Sequence, residues 1–221
     1  MKHVYTIALN TAIDTVIHVN KLHADRVAEG EVKSNIAAGK GINVARILRV
    51  LAKAHSREDT IGVLGYVGEA HASFFEDQLV SWDLQNPLVP VPGGTRQNLT
   101  IVQPEEELHI KTQGYAVDES GVERLLDYID SMPEGASVCL SGSLPPGFGH
   151  DELHHLLKRL YSKGTRIICD AAPGTYDTFL SYHPELIKPN LREFEEWTEK
   201  TASTWRDVKD NAAHFLNGGT E

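Results

Sequence analysis

The stretch Ala37-Ala38-Gly39-Lys40-Gly41-Ile42-Asn43-Val44-Ala45-Arg46 joins a glycine-flanked lysine to an apolar pattern that begins at once. Ile42, Ala45, Leu48 and Leu51 recur at helical spacing, which predicts a helix from Gly41 to about Ala54 with one face buried. Gly39 and Gly41 open backbone conformations closed to other residues and let a ligand approach closely. The first helical turn offers unpaired N–H groups and a partial positive charge, and Lys40 adds a full one. Such a place suits an anion or a sugar hydroxyl. A plain glycine-rich connector explains the same ten residues, so the surrounding chain has to decide between the two.

On the C-terminal side the chain alternates. Helices are predicted over Asp118–Met132, Asp151–Ser162, Pro173–Leu180, Asn190–Lys200 and Thr204–Leu216. Strands are predicted over Ala136–Ser141, Arg166–Asp170 and Leu186–Lys188, and, nearer the N-terminus, over Val4–Asn10 and Thr60–Tyr66. Glu69–Trp82 reads as an amphipathic helix. Strands alternating with helices imply a doubly wound, mostly parallel α/β sheet. Four short, half-polar runs break that rhythm: 13–19, 31–36, 97–102 and 108–112, the last two joined by a turn at Pro104-Glu105-Glu106. They are expected to form a separate small antiparallel β sheet. After the helix ending at Leu216, Asn217-Gly218-Gly219 is C-cap chemistry that usually announces another strand.

At 221 residues the chain is long enough to bury a full core. The formal net charge of −10 argues against general nucleic-acid binding, which needs a basic face. It leaves room for an anionic small molecule, because a few local cations suffice to hold one. Cys139 and Cys169 each sit in an apolar strand-like run and are expected to be reduced core residues. No apolar run has membrane-spanning length, and the N-terminus lacks a signal-peptide pattern. The expectation is a cytoplasmic protein with no membrane partner.

In an open α/β sheet, ligands bind beyond the C-terminal ends of the strands. Polar residues expected there are Asn10 and Asp14, Ser141-Gly142-Ser143, which reads equally as an ordinary strand-to-helix loop, Asp170, and the group Lys188-Pro189-Asn190-Leu191-Arg192-Glu193. Asp14 lies in an otherwise apolar stretch. It reads either as a carboxylate accepting from two neighbouring sugar hydroxyls or as a turn cap. Asn190 and Glu193 carry the spacing of a helix capping box, and the same spacing fits a metal-linked pair; both readings stand. Arg96, in Thr95-Arg96-Gln97-Asn98, reads either as a guanidinium that grips a phosphate or as a lone surface arginine. The glycine pattern at 39–44 is neither a dinucleotide fingerprint, since Val44 replaces the third glycine, nor a P-loop, since no Gly-Lys-Ser/Thr occurs. A nucleotide-dependent oxidoreductase is thereby disfavoured. His150, His154 and His155 on one helix lack zincin spacing and are expected to be a solvated face.

Taken in order, Thr6–Asp14, Ala38–Arg46, Thr95–Asn98, Ser141–Pro145 and Lys188–Glu193 resemble the ribokinase-like PfkB carbohydrate kinases, and within them the 1-phosphofructokinase and tagatose-6-phosphate kinase branch. The resemblance runs the length of the chain. It implies transfer of phosphate from ATP, with Mg²⁺, to a hydroxyl of a sugar phosphate. It further implies that Asp14, Gly39 and Asn43 hold sugar hydroxyls, with Asn98 and Ser141 beside them. Lys40 and Arg96 would grip the existing phosphate, and Lys188, Asn190 and Glu193 would serve magnesium and the nucleotide phosphates. The small sheet, inserted at about 13–36 and 95–113, becomes a lid, and a homodimer would form through it.

The sequence departs from the branch at several points. Thr11 stands where proline is usual. Thr100 stands where many members carry a second phosphate-binding lysine. Ser34 falls near a usual arginine, with Lys33 beside it. The family's late Gly-Ala-Gly-Asp segment, which supplies the catalytic base, has no match. The expectation is therefore the N-terminal portion (1–221) of one ribokinase-like domain, with the C-terminal part of the fold missing, no catalytic residue of its own, and no turnover alone. The alternative is a non-catalytic sugar-phosphate-binding or interaction module.

Overall fold

In the computed structural model, which describes residues 2–23, 25–85 and 88–216, the chain winds outward in two directions from β1 (His3–Ala8). On one side β1 pairs in parallel with β4 (Thr60–Gly68), and β4 with β5 (Leu88–Val91). On the other side it pairs with β8 (Ser137–Gly142), followed by β9 (Arg166–Ala171) and β10 (Leu186–Ile187). The strand order is β10-β9-β8-β1-β4-β5, and among the described residues its strands pair in parallel. Succession therefore reverses between β1 and β8, which opens a crevice beyond their C-terminal ends.

The sheet is apolar on both faces because helices cover both. On one face α1 (Lys40–Ala54) and α2 (Ala72–Ser81) bring Ile42, Ala45, Phe75 and Leu79 onto Ile61, Val63 and Val67. On the other, α3 (Glu119–Ser131) and α4 (His150–Ser162) bring Leu125, Ile129, Leu153 and Leu157 onto Ile7, Leu64 and Tyr66. Alternate residues of β4 thus feed two separate cores, as a period of two requires. The chain continues through α5 (Tyr176–Leu180), α6 (Leu191–Thr198) and α7 (Trp205–Leu216).

A second sheet, ordered β3-β2-β6-β7, is built from β2 (Ala12–Val19), β3 (Gly30–Ala38), β6 (Arg96–Gln103) and β7 (Glu106–Lys111). The β2–β3 and β6–β7 pairs are antiparallel, as expected, and the central β2–β6 pair is parallel. The reason lies in the connections: β2 follows β1 and β6 follows β5 through short loops, so both leave the same end of the main sheet in the same direction.

Three details differ from the sequence reading. β5 was not expected. It carries Pro90, which would break a central strand but is tolerated at the sheet edge that β5 occupies. The buried stripe of α1 continues through Ala52, while Leu51 is exposed. The 69–82 helix is split by a short 3₁₀ turn at Glu69–His71. Asn217-Gly218-Gly219 lies outside the described residues. No described helix is long and apolar enough to cross a membrane.

Candidate active site

The end of β1 and the start of β2 are held by Tyr115, whose phenol is buried behind the loop. Its oxygen accepts from the Thr11 backbone N–H at 2.9 Å. The carbonyls of Leu9 and Tyr66 each lie 3.0 Å away, and its proton goes to one of them. Thr11 Oγ1 donates to the Tyr66 carbonyl at 2.8 Å. Burial pushes the Tyr115 phenol up to about 12, so it stays neutral and can both donate and accept. Arg96 holds the same loop from the front, its Nη2 donating to the Asn10 carbonyl at 3.1 Å and its Nε to the Thr11 carbonyl at 3.3 Å. Asn10 Nδ2 in turn donates to Ser143 Oγ at 3.1 Å, tying the end of β1 to the loop after β8.

Gly39 and Gly41 set the approach of α1. Gly39, the N-cap, has φ 140° and ψ 148°, a conformation essentially reserved for glycine. A Cβ on Gly41 would lie 2.9 Å from the Ile7 carbonyl oxygen, so only hydrogen there lets α1 rest on β1. The first turn of α1 therefore faces the crevice without any acidic residue in it.

These elements enclose a cavity of about 400 Å³ at the point where the strand order reverses. Asp14, Gly39, Lys40, Asn43, Arg96, Asn98, Ser141 and Glu193 all line it. On the second sheet Asp14 and Asn98 are register partners, and Asn98 Nδ2 donates to Asp14 Oδ1 at 2.7 Å. The buried Oδ1 of Asn98 has no partner among the described residues. An unpaired buried acceptor is costly, and a ligand hydroxyl would satisfy it.

Lys188 and Asn190 do not line this cavity. They border an adjoining, mostly apolar cavity of about 570 Å³ with Leu186, Phe194 and Trp205. Charge links the two. Asp170, at the end of β9, has its Oδ1 3.4 Å from Lys40 Nζ and 3.2 Å from Lys188 Nζ, and Glu193 Oε1 is 3.7 Å from Lys40 Nζ. The capping-box reading of Asn190 and Glu193 holds: Asn190 Oδ1 accepts from the Glu193 N–H and Glu193 Oε2 from the Asn190 N–H, both at 2.9 Å. It does not exhaust Glu193, whose other oxygen is the one turned toward Lys40.

Two lining or supporting residues went unnoticed in the sequence. Lys111 lines the cavity from β7, opposite Asn98. Tyr115 supports it from behind. Neither sits in a motif; both are brought in by strand register and loop packing, which local spacing does not reveal. The histidines of α4, His150, His154 and His155, form an exposed face, as expected, with His154 bonded to the Tyr182 hydroxyl at 3.0 Å. No cluster of three or more His, Cys, Asp or Glu side chains suited to a metal occurs among the described residues. Cys139 and Cys169 are free thiols, but only Cys169 is a core residue; Cys139, expected in the core too, is partly exposed.

The comparisons agree with this architecture. Phosphofructokinase-2 from Escherichia coli, solved with substrates and products, superposes with a TM-score of 0.87 at 24% identity, over 98% of this chain and 70% of that one. Its complex with fructose-6-phosphate gives 0.86 at 25%, over 99% and 71%. A Staphylococcus aureus protein provisionally assigned as a phosphofructokinase gives 0.81 at 28% identity, over 98% and 68%. The family model for pfkB carbohydrate kinases matches residues 1–221. The chain belongs to the pfkB family of carbohydrate kinases.

Proposed function

We propose that the chain forms the acceptor side of a hexose-phosphate kinase site of 1-phosphofructokinase type. The observation that carries this is the single cavity uniting Asp14, Asn43, Asn98, Arg96, Lys40 and Glu193 at the reversal of strand order. Asp14, bonded to Asn98, is an acceptor placed to take hydrogen bonds from adjacent sugar hydroxyls, and the free Oδ1 of Asn98 takes another. Asn43 and the α1 amides add donors. Arg96 spends Nε and Nη2 on backbone carbonyls, which leaves Nη1 for a phosphate oxygen. The second sheet acts as a lid that excludes water from phosphoryl transfer.

Lys40 stands at the junction of the two halves of the reaction. Its ammonium lies between Asp170 and Glu193, so its best role is to neutralise charge on the phosphate being transferred, with the substrate's own phosphate left to Arg96. The donor set fits a nucleotide-bound magnesium, which typically takes one or two carboxylates and keeps water and phosphate for the rest. Asp170 and Glu193 would face such an ion, and when bound it would offset charge on the transferring group. Lys188 and the N-terminus of α6 would lie toward the nucleotide phosphates.

The carboxylates lining the cavity have other roles in this reading: Asp14 orients the sugar hydroxyls and is bonded to Asn98, and Glu193 serves the cap and faces Lys40. No turnover by this chain alone is expected, because a base for the acceptor hydroxyl is lacking among them. The same geometry serves a sugar-phosphate-binding module without catalysis. Calorimetry with fructose 1-phosphate and fructose 6-phosphate, beside an ATP-coupled assay, tests the reading. Asp14-dependent binding of either sugar phosphate supports it. Absence of binding by both sinks it, and robust turnover overturns the assignment of the base elsewhere.

A further inference from the structure

We infer that Lys111 supplies the second cation for the acceptor's own phosphate and makes the site selective for phosphorylated over unphosphorylated sugars. The inference rests on the reading of the cavity as a sugar-phosphate site and adds to it a residue from a strand that carries no motif.

The residue at position 100 of β6 cannot supply that cation. It is threonine, and its hydroxyl is 3.2 Å from His109 Nδ1 on the neighbouring strand. Strand register offers a substitute. Asp14 on β2 is opposite Asn98 on β6, and Asn98 is opposite Lys111 on β7. Directly opposed residues share a face of a sheet. Asp14, Asn98 and Lys111 therefore form one cross-strand row, and all three line the cavity. Lys111 is also the diagonal neighbour of Thr100, since Thr100 is opposite His109 two residues away. Diagonal positions lie within reach of a long side chain.

The cations of the cavity differ in how committed they are. Lys40 is held by Asp170 and Glu193. Arg96 is fastened to the carbonyls of Asn10 and Thr11. Lys111 is exposed, and its ammonium has no hydrogen bond or ion pair among the described residues. A lysine facing a polar cavity with three donors and no acceptor is suited to an anion delivered by a ligand. Its place on the lid's edge strand means that a phosphate bridging Lys111 and Arg96 would hold β7 and β6 over the sugar. A neutral sugar would make no such bridge.

The experiment is a set of calorimetric and NMR titrations of the full chain with fructose 1-phosphate, fructose 6-phosphate and fructose, using wild type, Lys111→Gln, Lys111→Arg and Asp14→Asn. Thermal melts check that each variant is folded. The expected result is that Lys111→Gln weakens the bound sugar phosphate about tenfold or more, the scale of one charge-assisted hydrogen bond. Fructose affinity is unchanged, the salt dependence of sugar-phosphate binding is shallower, and Lys111→Arg restores most of the loss. Unchanged sugar-phosphate affinity in Lys111→Gln, with Asp14→Asn still abolishing binding, overturns the inference and leaves the functional reading intact. If wild type binds neither sugar phosphate, the reading falls and the inference with it.

Discussion

The backbone N–H of Thr11 donates to the phenol oxygen of Tyr115 at 2.9 Å, and the two residues meet again through Thr11 Oγ1 at 3.1 Å. The contact fixes the turn between β1 and β2, from which Asn10 and Asp14 reach the cavity. It also gives a reason for threonine at position 11. Proline has no N–H, so it could not make this bond. Tyr115→Phe should leave the Thr11 N–H buried and unsatisfied and destabilise the chain by about 1–3 kcal/mol. Urea unfolding measures the loss. A change below about 0.3 kcal/mol would mean that the bond does not hold the turn.

The same phenol predicts an alkaline limb of the stability curve. Burial pushes Tyr115 up to about 12, against about 10 for a free tyrosine. Between those values the unfolded chain gives up this proton and the folded chain keeps it. The contribution is therefore complete below about pH 10 and is lost as pH rises through the folded value. Burial also raises Tyr66 and Tyr176, so wild type should lose stability steeply above pH 10. The Tyr115→Phe chain, lacking one such group, should lose it less steeply. Denaturation at several pH values between 9 and 11.5, with tyrosinate absorbance followed in parallel, checks the difference; equal slopes would contradict it.

Much of this was legible because local chemistry and global fold agree. The helix after Gly39-Lys40-Gly41 announces itself through Ile42 and Ala45, and the alternation after residue 118 predicts a parallel sheet. Asp14, Asn43, Arg96 and Asn98 stand out as candidates because their segments follow one another in a set order, and one cavity gathers them. What stayed hidden depends on pairing across distance. The row Asp14–Asn98–Lys111 is set by two registers that no single strand encodes. β5 was hidden by Pro90, which is compatible with a strand only at the edge. Glu193 was ambiguous because its two oxygens do two things: one caps, the other faces Lys40.

Two glycines of the loop can be separated from a third that does nothing special. Gly41→Ala would place a methyl 2.9 Å from the Ile7 carbonyl oxygen, a backbone atom that cannot step aside. α1 would have to lift from β1, at a cost of about 1–3 kcal/mol. Gly39→Ala meets no such crowding, with Thr11 Cα at 3.5 Å, but would be strained by φ 140°, at a cost of about 1–3 kcal/mol. Gly174→Ala has nothing within 4 Å and should be close to neutral. Thermal melts of the three variants give the order directly. Sugar-phosphate affinity should fall in the first two, because the first turn of α1 forms the cavity floor.

The double use of Glu193 yields a last prediction, in which stability and ligand response part company. Asn190 caps α6 through its side-chain oxygen, so Asn190→Ala should cost about 0.5–2 kcal/mol. Glutamine serves a capping box as well as glutamate. Glu193→Gln therefore keeps the bond to the Asn190 N–H and loses only the attraction to Lys40, a pair at 3.7 Å with Lys40 half exposed. Such pairs contribute about 1 kcal/mol at most, so the melting temperature should barely move. If Glu193 faces a magnesium-bound nucleotide, removing its charge must weaken the magnesium dependence of nucleotide binding, a readout that a capping role does not touch. Calorimetry with ATP at low and high magnesium, run on both variants, separates the two. Loss of stability in Glu193→Gln equal to that in Asn190→Ala, with magnesium dependence unchanged, would reduce Glu193 to a helix cap and leave Asp170 as the carboxylate shared by the two halves of the site.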